Sequence, residues 1–78
     1  MMQKFKKYSS NSACIDTDYK DATGTDQRNS LYFTINKGDD PHIVLAIEEE
    51  DQEKATFILY PEALQELVNW LRNEGLIA

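Results

Sequence analysis

Three runs in the middle of the chain alternate apolar and polar positions in step. In L-Y-F-T-I-N-K, Leu31, Phe33 and Ile35 share one side. In H-I-V-L-A-I-E, Ile43, Leu45 and Ile47 do the same, and in A-T-F-I-L-Y so do Ala55, Phe57 and Leu59. A period of two is that of a strand, because successive side chains point to opposite faces. Gly38 and Pro41 in K-G-D-D-P punctuate the first two runs as a turn. The pattern predicts a three-strand antiparallel meander over 31–60 with one apolar face.

Upstream, C-I-D-T-D-Y places Ile15, Thr17 and Tyr19 on one side and Asp16 and Asp18 on the other, a half-exposed N-terminal strand. Residues 1–8 read as a frayed arm or short edge strand and S-S-N-S, 9–12, as a small polar loop, so that 1–12 form a flexible start. Phe5 and Tyr8 cannot share a strand face at a spacing of three. K-D-A-T-G-T-D-Q-R-N-S, residues 20–30, reads as one long polar loop.

Downstream, the period changes to that of a helix. Leu64, Leu67, Val68 and Leu71 fall at i, i+3, i+4 and i+7 and form one stripe, with Ala63 and Trp70 beside it. Pro61 suits a first helical turn and Glu62 suits its positive dipole end. Gly75 stops the helix, and Leu76 is placed to fold back onto Leu71 as in a Schellman motif. The expected fold is therefore α+β: a single domain over 1–78, with an antiparallel sheet of about four strands packed on one C-terminal helix, 61–74. Its expected core is Leu31, Phe33, Ile35, Ile43, Leu45, Ile47, Phe57, Leu59, Leu64, Leu67, Val68 and Leu71, gathered between sheet and helix. On that basis Phe57→Ala would cost about 3–5 kcal/mol.

At 78 residues the chain lies near the lower size for a self-sufficient core. Cys14 is its one cysteine and His42 its one histidine, so no internal disulfide or zinc set can be built. A reducing, cytoplasmic setting follows as the expectation. The lysine-bearing start has no apolar run behind it, unlike a signal peptide. No apolar run approaches the roughly 20 residues that cross a bilayer. Fourteen acids against eight bases give a net charge of −6, which disfavours a nucleic-acid partner.

The acids are the first candidates for chemistry. Glu48 to Glu53 holds five of them, broken only by Gln52. Between two apolar runs this knot reads as the wet tip of a hairpin over 50–53. A loop tip supplies no desolvation to drive a pair of carboxylate pKa values apart for acid–base work. A calcium-loop template begun at Asp16 and Asp18 fails at Lys20, Asp21 and Gln27. D-A-T-G-T lacks the lysine of the phosphoaspartate loop of P-type pumps. A Cys14–His42 nucleophilic pair has nothing else to support it, and glycines at 24, 38 and 75 make no phosphate loop. No catalytic, cofactor-binding or metal-binding residue is expected, and the chain reads as a non-enzyme.

The sheet's other face carries Tyr32, Thr34, Val44, Ala46, Thr56, Ile58 and Tyr60, too apolar for plain solvent. One helix covers only one face. The reading that follows is a small acidic adaptor or inhibitor, of the kind some phages encode, acting through protein–protein contact. Tyr32, Val44, Ile58 and Tyr60, with Glu49, Glu50 and Asp51, are its candidate contact residues, and a homodimer across that face is expected. The alternative is single-stranded nucleic-acid binding through Lys4, Phe5, Lys6, Lys7 and Tyr8, with sheet aromatics to stack on. Strands followed by a helix opening on Y-P-E-A-L-Q-E-L over the last 45 residues resemble, in topology, a coactivator family of single-strand DNA binders with a proline-initiated helix. If the acid knot is only a hairpin tip, replacing Glu49, Glu50 and Asp51 together by Ser shifts stability by no more than about 1 kcal/mol in urea titration. Partner binding survives the change; a loss of affinity that deepens at low salt would give the knot a binding role.

Overall fold

The computed structural model describes residues 2–50 and 52–78. Five strands and one helix follow in chain order: β1 Met2–Lys7, β2 Ser12–Lys20, β3 Asp26–Asn36, β4 His42–Glu49, β5 Gln52–Leu59 and α1 Pro61–Asn73. The strands form one antiparallel sheet in the order β1-β2-β3-β4-β5, each paired with its neighbour in sequence. The α+β class holds, with five strands rather than about four, because Met2–Lys7 pairs along β2 from Met2↔Asp18 to Lys7↔Ala13. Among the described residues no helix is long and apolar enough to cross a membrane.

The long polar loop expected over 20–30 is not there. β2 runs to Lys20 and β3 starts at Asp26, and the two pair as far as Lys20↔Asp26. The five residues between them close a turn around one carboxylate. Asp21 Oδ1 accepts from the Thr23 backbone N–H at 2.9 Å, the Thr23 hydroxyl at 2.6 Å and the Thr25 N–H at 3.0 Å, while Oδ2 accepts from Gln27 at 3.1 Å. Gly24 takes the left-handed step at φ 83°. Polar composition had suggested a loop. A cross-strand ladder at the wet end of a hairpin needs no apolar residues, and here ion pairs hold it: Lys20–Asp26 at 2.6 Å and Arg28–Asp18 at 3.0 Å.

The acid knot is tighter than expected. Strand pairing continues through Glu48↔Glu53 and Glu49↔Gln52 past a bulge at Ile47/Glu48, so Gln52 and Glu53 belong to a strand and not to the loop expected over 50–53. Glu50, which follows β4, takes φ 52°, a left-handed conformation common in tight hairpin turns. Asp51 lies outside the described residues.

The helix begins and ends as its sequence signals imply. Tyr60 is the extended residue before Pro61, and the Tyr60 carbonyl accepts from the Leu64 N–H at 3.1 Å. At the other end Leu76 N–H reaches the Leu71 carbonyl at 2.9 Å and Gly75 N–H the Arg72 carbonyl at 3.0 Å. With Gly75 at φ 76° this is the full Schellman pair.

The expected core between sheet and helix does not form within the chain. No residue of α1 is buried. Of the core set, Leu31, Phe33, Ile43, Leu45, Leu59, Leu64, Val68 and Leu71 are half-buried, and Ile35, Ile47, Phe57 and Leu67 are exposed. Phe57 is 65% exposed, so a large cavity cost for Phe57→Ala has no basis in the single chain. One residue, Tyr60, joins β5 to α1, and α1 stands off the sheet instead of lying across it. The long dimension of the molecule is accordingly 44 Å, against 20 Å in the thinnest direction.

The Asp21 carboxyl titrates at about 2, below its ordinary 3.8, chiefly through the Thr23 hydroxyl and then the Thr25 N–H. Its lowered value means a stabilisation present above the unfolded pKa and lost as pH falls from about 4 to about 2. Asp21→Asn should therefore lower the urea midpoint at pH 7, with the gap to wild type narrowing across that window. A gap that stays constant down to pH 2 would show that the carboxylate's charge is not what holds the turn.

Candidate interaction surface

Strand register sorts the side chains onto two faces. Across β1 to β5 one row runs Phe5, Ile15, Leu31, Ile47, Ala55; the next runs Lys7, Ala13, Phe33, Leu45, Phe57. A shorter third row holds Ile35, Ile43 and Leu59. Lys7 is the charged member of these three rows, and Glu49 lies on the next row toward the β4–β5 end, with Asn29 and Gln52. Phe5 is 64% exposed at one side of this apolar face and Phe57 65% at the other, with Ile35 and Ile47 exposed between them. This is the face expected to lie under the helix.

The second, mixed face was expected to be the open one. Tyr32, Val44 and Ala46 lie half-buried in its middle, while Ile58 and Tyr60 are exposed near α1. Tyr60 is fixed in place: its hydroxyl donates to Asp40 Oδ2 at 2.9 Å, and its ring sits 5.7 Å from that of His42. The hydrogen bond to Asp40 raises the Tyr60 pKa above 10.0. Both residues thus pin the β5–α1 joint to the β3–β4 turn.

The polar end of the mixed face is built around Asp16. Its Oδ1 accepts from the Ser30 hydroxyl at 2.5 Å, and its Oδ2 pairs with Lys6 Nζ at 2.9 Å. These two, the serine first, hold its pKa below 3.8, and the same carboxylate raises that of Lys6. Beside it Cys14 is wholly buried, the one residue so placed among those described. The thiol donates to Asp16 Oδ1 at 3.7 Å, and its sulfur lies 3.2 Å from the Tyr8 hydroxyl. That hydrogen bond, with partial burial, pushes the Tyr8 phenol up to about 12. His42 is bound elsewhere, through Nδ1 to the Asp40 carbonyl at 2.6 Å, so the structure does not join it to Cys14.

The residues proposed for nucleic-acid contact divide between the faces. Lys4 and Lys6 project on the mixed side, the latter within its ion pair, whereas Phe5 and Lys7 project on the apolar side. Glu48 and Glu50 line an open groove of about 820 Å³ on the mixed face, together with Asp18, Arg28 and Ser30. Glu49 sits half-buried at the hairpin end. Sequence reasoning missed that Phe5 and Ile15 extend the apolar face to the sheet edge. Aligning β1 against β2 in antiparallel register would have found it, since Phe5 then meets Ile15.

The chain matches no known protein family, no curated protein and no solved structure.

Tyr8 is the side chain placed to shield Cys14. Tyr8→Ala should speed labelling of the native thiol by a maleimide at least severalfold, whereas Tyr8→Phe, which keeps the ring, should leave it slow. Equal rates in wild type and Tyr8→Ala would assign the shielding to the strands alone.

Proposed function

We propose that this protein is a small acidic, non-catalytic interaction module that works by protein–protein contact through the apolar face of its sheet. The carrying observation is the exposure of Phe5, Ile35, Ile47 and Phe57 together on one continuous face. Isolated exposed apolar residues are ordinary, but a contiguous apolar face of this kind marks a contact site. The acids support the same reading by where they sit. Asp16, Asp18, Glu48 and Glu53 lie on the opposite face, so they maintain solubility without charging the contact surface.

Affinity capture with three baits tests this. Wild type should retain a protein that the pair Ile47→Asp with Phe57→Asp loses and that Lys4→Ala with Lys6→Ala keeps. Salt-sensitive, micromolar binding of a labelled single-stranded oligonucleotide at about 50 mM salt, abolished by the lysine pair, would overturn the reading.

A further inference from the structure

We infer that the partner on the apolar face is a second copy of this chain, with each copy's α1 seated against the other's sheet. This rests on the contact-surface reading above and names its occupant.

The first observation is a surplus of surface. A self-contained monomer of 9.0 kDa exposes about 4,850 Å². This chain exposes 6245 Å², an excess of about 1,400 Å² over that scaling. Its radius of gyration is 14.6 Å, where a compact domain of this length has about 11.5 Å. Stable interfaces bury about 800 Å² per partner and obligate homodimers more. The surplus is thus of the size that one permanent subunit contact removes.

The second observation is that the chain carries both halves of a missing layer pair. Domains are built from at least two packed layers, and here a sheet with an open apolar face and a helix with an open apolar stripe belong to one molecule yet hardly pack together. Leu67 and Trp70 remain exposed on α1. The joint between the two elements is one residue long and anchored through Tyr60 to Asp40 and His42. α1 is therefore held off its own sheet. A twofold axis solves this twice over, since each helix covers the other sheet through the same contact. A foreign partner would have to supply a cover for both surfaces at once.

The third is charge. Two copies at −6 each repel, so they can meet only where charge is sparse. The apolar face is that place, with Lys7 and Glu49 at its margins.

Sedimentation equilibrium over about a hundredfold concentration range, with Trp70 emission recorded in parallel, tests the inference. Wild type should run as two chains, with blue-shifted Trp70 emission that reddens as dilution dissociates it. Phe57→Asp should weaken association at least about a hundredfold. Because that change could also unfold the sheet, Leu67→Asp on the stand-off helix provides a second variant; it should give one-chain mass with the far-ultraviolet dichroism of the sheet retained. A wild type of one-chain mass that binds a hydrophobic dye, with Phe57→Asp abolishing the dye signal, would overturn self-association and leave the contact-surface reading standing. One-chain mass with no dye binding would overturn both. A mass above two chains, or a two-chain mass indifferent to both variants, would overturn the proposed geometry.

Discussion

An apolar sheet face in water needs a second layer, and the rest of this molecule is arranged around the absence of one within the chain. Burial of apolar area is the dominant favourable contribution to folding. Here the three rows from Phe5 across to Leu59 collect that area on one side of a single sheet. The ladder between adjacent strands satisfies the backbone but does nothing for this face. Only the fully buried Cys14, on the other side, has the environment of a core residue among those described.

The mixed face has a different logic. Its polar end is tied together by Asp16, which binds Ser30 on β3 and Lys6 on β1 across the intervening strand. One carboxylate thus links three strands at the β1 edge of the sheet. Asp21 performs the same service locally, closing the β2–β3 turn with four accepted hydrogen bonds. Acid residues in this chain, Asp16 and Asp21 among them, are therefore structural organisers before they are a surface charge. The knot at the β4–β5 tip is the contrary case. Glu48 and Glu53 oppose each other directly, a like-charge pair that costs rather than contributes, beside a bulge that turns the strand end.

Much of the fold was legible in the residues themselves. Period-two alternation from Leu31 to Leu59 specified three strands and which residues share a face, because a strand has no other way to place alternate side chains. Pro61, the i, i+3, i+4, i+7 stripe and Gly75 specified the helix and both its ends, because those signals act within a single turn. The polar 20–30 segment misled, since hydrogen bonds from Asp21 and ion pairs can sustain a hairpin whose composition is that of a loop. Phe5 was also overlooked as a member of the apolar face, because its place depends on pairing with Ile15 and not on its own neighbours.

What the sequence alone determined is the set of elements and the two surfaces that require cover, an apolar sheet face and an apolar helix stripe. Whether those surfaces cover each other was decided only in three dimensions. Amphipathic patterning states that a face must be buried and carries no direction toward a particular partner. The direction comes from the short joint at Tyr60, held by Asp40 from twenty residues away, and that hydrogen bond exists only once β3, β4 and β5 have been brought side by side.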